Sequence, residues 1–113
     1  MESRAIKNTD DKRRQKTVCV REIEIRNAEG LHMRPAMQFV DVANRFESEI
    51  TVSSNNNNVD GKSIMQMSML AATCGTKLKI VAEGPDAQQA VNALRVLVEE
   101  KTFDEPKPGE QKN

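Results

Sequence analysis

Aromatic residues and cysteines are scarce in this sequence, and each scarcity excludes a class of site. The 113 residues include three Phe and no Trp or Tyr, so we expect neither an aromatic cage nor a platform for stacking bases. Two cysteines, Cys19 and Cys74, do not make a disulfide framework or a metal cluster. We therefore expect a reducing setting and a site that uses no metal and no cofactor.

An excess of one charge and a long apolar run are also missing. Seventeen basic and seventeen acidic residues give a formal net charge of zero, which disfavours a nucleic-acid binder because binding to phosphates requires surplus positive charge. No apolar stretch approaches the roughly 20 residues that span a bilayer, and the charged first residues lack the apolar segment of a signal peptide. We expect a cytoplasmic protein that does not insert into membranes.

The hydrophobic pattern predicts one folded domain between two polar ends. A chain of this length fits a single domain, which we place at residues 18–103. A mobile, charged N-terminal extension is predicted at residues 1–17 and a mobile C-terminal tail at residues 104–113, since neither shows hydrophobic periodicity.

Within the domain, the periodicity alternates between that of strands and that of helices. Alternation predicts strands at residues 22–26, 49–53 and 77–82, and a short third strand is predicted at residues 59–60, after a loop of asparagines. Helical spacing predicts three helices, of which the first has Pro35 in its first turn, the second begins at Ser63 and the third is capped by Asp86. The order βαββαβα predicts an α+β fold, with helices on one face of an antiparallel sheet.

The only histidine, His32, stands at a strand-to-helix junction within the segment Gly30–Ala36. It lies at or beside the N-cap of the helix that contains Pro35, where backbone N–H groups lack intrahelical partners and the helix dipole adds positive charge. Such an end binds anions, and its dipole favours a neutral imidazole with a nitrogen free to attack. Arg34 adds donors suited to phosphate. The combination is typical of reversible phosphoryl capture.

Other interpretations of these residues have to be weighed. A lone histidine near a helix N-terminus is often only a capping or surface residue, and spacing alone leaves this open for His32. A metal site is disfavoured because no second histidine exists and no cysteine lies nearby. The run Gly61–Ser63 is similar to the end of a nucleotide-binding P-loop, but the upstream glycine and the preceding buried strand are missing.

Two separated motifs resemble the HPr family, the histidine-containing phosphocarrier proteins of the bacterial phosphotransferase system. The segment Gly30–Ala36, read Gly-Leu-His-Met-Arg-Pro-Ala, is similar to the family's phosphorylated-histidine segment. The segment Gly61–Met65, read Gly-Lys-Ser-Ile-Met, is similar to its regulatory-serine segment. The resemblance extends over residues 23–103 and implies an open-faced sandwich, with four antiparallel strands covered on one face by three helices.

The resemblance also implies roles for residues and partners. His32 would carry the phosphoryl group on Nδ1, and Arg34 would help to neutralise it. The donor would be similar to Enzyme I, itself phosphorylated from phosphoenolpyruvate, and the acceptor to an Enzyme II A-type domain. Ser63 would be the target of an HPr kinase/phosphorylase, besides serving as a helix N-cap worth about 1 kcal/mol. The chain would be a monomeric carrier and not an independent enzyme.

Residues outside the buried faces of the first two helices, most of them apolar, predict a surface that docks partners. They are Met33 and Met37 on the first helix, and Ile64, Met65 and Ser68 on the second. Methionine-rich surfaces adapt to partners of different shape, whereas the alternative for some of these side chains is simply to fill the core. In the HPr family the corresponding helices supply the partner-binding surface.

Two positions depart from the commonest HPr pattern and bear on partner identity. Met33 stands where a small residue is usual, and Gln66 stands where glycine is frequent. Three alternatives stay open beside a sugar-linked carrier: a regulatory interaction module controlled through Ser63, a carrier of a nitrogen-related branch, and, disfavoured by zero net charge, a nucleic-acid-binding domain.

Overall fold

The computed structural model describes residues 17–110, which form a four-stranded sheet and three helices. The strands are β1 (Thr17–Glu24), β2 (Glu49–Ser54), β3 (Asn57–Asp60) and β4 (Lys77–Gly84). The helices are α1 (Met33–Ala43), α2 (Ile64–Met69) and α3 (Ala87–Arg95). After α3 the chain continues through a π-helical turn (Val96–Glu100) and a short 3-10 turn (Thr102–Asp104). The predicted α+β class and the order βαββαβα are confirmed.

All neighbouring strands are antiparallel, in the spatial order β1-β4-β2-β3. Alternate residues of each central strand face the helices, so that Val52 and its cross-strand partner Ile80 are both fully buried. Phe39 of α1 and Leu94 of α3 are also fully buried against this face of the sheet. The alternation predicted from sequence therefore places the core between one sheet face and the helices, as an open-faced sandwich.

The first strand differs from the prediction. It was expected at residues 22–26, but β1 covers Thr17–Glu24 and pairs with the whole of β4. Val18 and Val20 remain 53% and 57% exposed, so burial against the helices does not hold this part of the strand. Pairing with β4 supplies the backbone hydrogen bonds that extend the strand, which periodicity alone does not reveal. Residues 1–16 of the predicted N-terminal extension lie outside the described residues.

Four consecutive asparagines, residues 55–58, lie in and beside the turn of the β2–β3 hairpin. Asn55 and Asn56 have φ angles of 49° and 69°, in the left-handed region that Asn tolerates better than other non-glycine residues. The next two asparagines already belong to β3, opposite Ser54 and Ser53. The third strand is therefore longer than the predicted residues 59–60.

Asp86 stands at the N-cap position of α3, but its side chain does not make the predicted capping bond. Its carboxylate instead accepts hydrogen bonds from the Ser48 hydroxyl at 2.6 Å and from the Glu47 amide at 2.9 Å. These bonds, the Ser48 hydroxyl first, lower the pKa of Asp86. The side chain thus joins the start of β2 to the turn before α3, a contact between distant segments that no local sequence rule identifies.

Within residues 17–110, none of the helices has both the length and the apolar composition that a bilayer crossing requires. The same residues contain no cluster of three His, Cys, Asp or Glu side chains arranged to hold a metal ion.

Candidate functional site

The turn that leads into α1 is fixed by a glycine. Gly30 has a φ of 75°, and a Cβ atom at this position would lie 2.6 Å from the carbonyl oxygen of Ala72. The next residue, Leu31, donates its amide to that same carbonyl at 2.8 Å. The buried Asn27 side chain donates to the Gly30 carbonyl at 2.7 Å. These contacts set the position from which α1 begins.

His32 is the N-cap of α1, and its imidazole is not used to cap the helix. Its backbone is extended, with φ −84° and ψ −169°, and its side chain makes no capping hydrogen bond. The ring is 39% exposed. By helix geometry, the amides of Met33 and Arg34 have no acceptor within α1, while Pro35 has no amide hydrogen. A half-exposed imidazole thus stands at a helix end that carries partial positive charge.

The imidazole is bound by a carboxylate from the far end of the chain. Nε2 of His32 lies 2.9 Å from Oε2 and 3.1 Å from Oε1 of Glu105. Arg34 donates from Nη2 to the same Oε2 at 2.7 Å. His32 and Arg34 therefore meet through a shared carboxylate, and both side chains remain partly open to solvent.

Glu105 is held firmly in place. Asn27 donates to Oε1 at 2.8 Å, and the Glu105 side chain is only 11% exposed. Burial acts to raise the pKa of this carboxyl, but the hydrogen bonds from His32, Asn27 and Arg34 outweigh it and hold the pKa below its ordinary value of 4.5. The group is consequently an ionised acceptor at neutral pH.

The second predicted site lies at the start of α2. Ser63 caps this helix as predicted, accepting a hydrogen bond from the Gln66 amide at 3.2 Å. The Gln66 side chain reaches back to accept from the Asp60 amide at 2.8 Å. Ser63 itself is half-buried. Its hydroxyl is thus engaged in the structure of the helix end.

Methionine side chains are exposed on both α1 and α2. Met33 and Met37 of α1 are 56% and 55% exposed, and Met65 and Met69 of α2 are 74% and 75% exposed. We call these four residues the methionine patch. Ile64 is half-buried and lines an open groove together with residues of α1 that include Met37. Ser68 is also half-buried and donates its hydroxyl to the Met65 carbonyl at 2.9 Å.

Comparison with known proteins decides the family. Residues 19–100 match the family model described as "PTS HPr component phosphorylation site". The chain belongs to the HPr family.

Relatives and solved structures agree with this assignment. The phosphocarrier protein HPr of Haemophilus influenzae is 47% identical over 78 residues, which are 69% of this chain and 92% of that protein. The HPr-like protein Crh of Bacillus subtilis is 40% identical, with the same two coverages.

Two crystal structures from Thermoanaerobacter tengcongensis are similar as well. HPr-C-His matches with a TM-score of 0.73 and 42% identity, covering 77% of this chain and 97% of its own. An HPr dimer matches with a TM-score of 0.60 and 45% identity, covering 71% and 92%.

Against this HPr background, the structure brings together two of the predicted site residues and adds a third. His32 and Arg34 converge, whereas Ser63 lies at the start of another helix. Glu105 was missed, because sequence analysis assigned it to the C-terminal tail, and Met69 was missed although it lies four residues after Met65. Helical spacing identifies Met69 in retrospect, but a glutamate among polar and proline residues carries no local signal.

The C-terminal segment reaches the site through buried packing and an unusual backbone. Phe103 is fully buried in the core, and Thr102, Phe103 and Asp104 have φ angles of 46°, 53° and 61°. Beyond Glu105, the Pro106 carbonyl accepts from the Ala28 amide at 2.9 Å. The described part of the predicted tail is thus packed beside the loop that precedes His32, which the boundary at residue 103 did not anticipate.

Proposed function

We propose that this protein relays a phosphoryl group on His32, from an Enzyme I-like donor to an Enzyme II A-type acceptor. The observation that carries the proposal is the half-exposed imidazole at the start of α1, which is not consumed in capping the helix. Family membership supports the phosphocarrier class, and the residue and its partners are our proposal. In this role the protein is a covalent intermediate and not an independent catalyst.

The chemistry follows from the groups around the ring. A partner presents a phosphorylated side chain, and a neutral nitrogen of His32 attacks the phosphorus as the bond to the leaving group breaks. The phosphoryl oxygens would meet the N-terminal amides of α1 and the Arg34 guanidinium, both suited to spread negative charge. Within the described residues, the contacts of Arg34 run through Nη2 alone, so its other donors are available for phosphate.

Phosphorylation from phosphoenolpyruvate tests the relay directly. The purified protein, mixed with phosphoenolpyruvate and Enzyme I, is expected to form an acid-labile, base-stable adduct. The adduct should disappear in His32→Ala and persist in Ser63→Ala. Retention of the adduct in His32→Ala would exclude His32 as the carrier.

We further propose that phosphorylation of Ser63 by an HPr kinase/phosphorylase regulates the relay. A phosphate at a helix N-terminus is tolerated by the dipole, but it adds nearly two negative charges beside the methionine patch. Ser63→Asp should therefore keep the fold, since Asp is a good N-cap, and should slow phosphoryl transfer from Enzyme I. Unchanged transfer rates in Ser63→Asp would count against regulation by charge.

The methionine patch, with Ile64 and Ser68 beside it, is the proposed docking surface for these partners. We propose that the protein acts as a cytoplasmic monomer, and sedimentation at micromolar concentration tests the oligomeric state.

The similarity to Crh supports a second candidate, a regulatory interaction module in which Ser63 phosphorylation controls binding. An adduct formed only with ATP and a kinase, and never with phosphoenolpyruvate, would favour that module. A sugar-linked and a nitrogen-linked carrier are distinguished by testing which acceptor protein receives the phosphoryl group.

A further inference from the structure

We infer that Glu105 is a positioning residue, which holds the proton of the His32 imidazole on Nε2 and so leaves Nδ1 as the nucleophile. The inference deepens the proposed function, on which it rests for its biological purpose. It assigns a role in the relay to the C-terminal segment, which lies outside the two motifs that resemble HPr.

The direction of the hydrogen bond follows from the chemistry of the two groups. An ionised carboxylate can only accept, and both Glu105 oxygens lie within 3.1 Å of Nε2. Nε2 must therefore carry the proton, and in a neutral ring Nδ1 then has the free lone pair. The other nearby carboxylate belongs to Glu29, whose side chain is 79% exposed. It lies 3.8 Å from Nε2, which is beyond hydrogen-bond distance.

The carboxylate can select one tautomer because it is itself fixed on several sides. Asn27, which is fully buried, holds Oε1, and Arg34 holds Oε2. The segment that carries Glu105 adopts three successive left-handed residues, each of which costs about 1–2 kcal/mol relative to ordinary backbone. Burial of Phe103 and the bonds of Glu105 stabilise this conformation, so the segment is anchored at the ring.

The same contact matches the charge that develops during transfer. The Nδ1 lone pair forms a bond to phosphorus, the bond between phosphorus and the donor's leaving atom breaks, and its electron pair stays on the donor. The proton on Nε2 does not leave, so the His32 ring gains a formal positive charge. The partial positive charge at the start of α1 disfavours a positive ring. The Glu105 carboxylate, in contact with Nε2, stabilises it. Reversal of these steps delivers the group to the acceptor.

Chemical phosphorylation of the full chain tests the inference without any partner protein. Phosphoramidate serves as the phosphoryl donor, and 31P and 15N NMR identify the nitrogen that receives the group. The wild-type protein should be phosphorylated on Nδ1. In Glu105→Ala, the ratio of Nε2 to Nδ1 product should rise about tenfold, as expected for loss of one hydrogen bond to a charged acceptor.

Three further variants separate positioning from general effects. Glu105→Gln keeps the size of the side chain but can pair with either tautomer, so it should also raise the ratio. Glu105→Asp keeps the charge and should restore part of the selectivity. Glu29→Gln removes the other nearby charge, which lies 3.8 Å from Nε2 and makes no hydrogen bond to the ring, and it should leave the ratio at the wild-type value. Backbone amide spectra establish that each variant is folded.

The outcomes are distinguishable from failure of the relay. An unchanged ratio in folded Glu105→Ala and Glu105→Gln, or an equal rise in Glu29→Gln, would overturn the role of Glu105. If the wild-type protein takes no phosphoryl group from Enzyme I, the relay fails, while the product ratio with phosphoramidate still decides what Glu105 does. If transfer from Enzyme I slows about tenfold in Glu105→Gln and the ratio rises, both are supported.

Discussion

The N-termini of α1 and α2 face the same physical problem and solve it differently. At α2, Ser63 accepts a hydrogen bond from the Gln66 amide, so the helix end is satisfied by a residue three positions away. At α1, His32 makes no such bond, and its ring is instead bound by Glu105, 73 residues further along the chain. A local cap stabilises a helix, whereas the uncapped end keeps a reactive side chain and helix amides available for a ligand.

The comparison also separates two kinds of dependence. The cap of α2 needs only its own turn to form. The arrangement at α1 needs the rest of the fold, because Glu105 lies beyond α3 and just after Phe103, which is buried in the core. The three measurements below test this difference.

The largest effect is expected for Phe103→Ala. Phe103 is fully buried, and truncation of a buried Phe costs about 3–5 kcal/mol of unfolding free energy. Chemical denaturation measures the loss, and hydrogen exchange should show the amides around Glu105 opening while the Gln66 amide keeps its protection relative to the global stability. Met69→Ala, at a 75% exposed position, is the control and should change stability by less than about 0.5 kcal/mol. Equal loss of protection at the starts of α1 and α2 would contradict the claim that only the α1 site depends on the C-terminal segment.

An intermediate effect that depends on pH is expected for Glu105→Gln. The folded-state pKa of Glu105 is lowered, so its carboxylate stabilises the fold above the ordinary value of 4.5, and this contribution disappears as pH falls through the lowered pKa. At pH 7 the variant should be less stable by about 1–2 kcal/mol, from the loss of bonds to a charged acceptor. Thermal or denaturant unfolding across pH 2–7 should show the two proteins converging in acid. A constant difference at all pH values would show that the charge of Glu105 does not matter.

The smallest effect is expected for the two N-cap residues, compared as a matched pair. Ser63→Ala should lower stability by about 1 kcal/mol, since a capping bond is lost. His32→Ala should lower it by about 0.5 kcal/mol, since it loses no capping bond and gives up only the hydrogen bond from a half-exposed ring to Glu105. Equilibrium denaturation of both variants under one condition gives the comparison, and a larger loss in His32→Ala than in Ser63→Ala would show that the ring is structural.

Much of the fold follows from local pattern. The alternation of residues 77–82 and the helical spacing from Ala87 predict elements that the structure contains. The left-handed turn at Asn55 and Asn56 follows from the tolerance of asparagine for that backbone. The predicted bounds of β1 were wrong because strand pairing sets them. Its exposed valines are held by backbone hydrogen bonds to β4 and not by burial.

The candidate site divides in the same way. His32 and Arg34 are three residues or fewer from the start of a predicted helix, so sequence spacing is enough to place them together. Ser63 as a cap follows from the short-range geometry of α2. Asp86 looks like a similar cap, yet its carboxylate binds Ser48, 38 residues earlier. Side-chain oxygens can satisfy any nearby donor, and only the assembled fold determines which donor is near.

The amino-acid sequence by itself determined the βαββαβα order, where the helices begin and the two motifs, because these depend on residues within a few positions of one another. Only the tertiary structure decided that Glu105 binds the His32 ring, because that contact requires the sheet and helices to bring two ends of the domain together. A hydrogen bond requires its donor and acceptor to lie about 3 Å apart. The number of residues between two positions in the sequence does not reveal that distance.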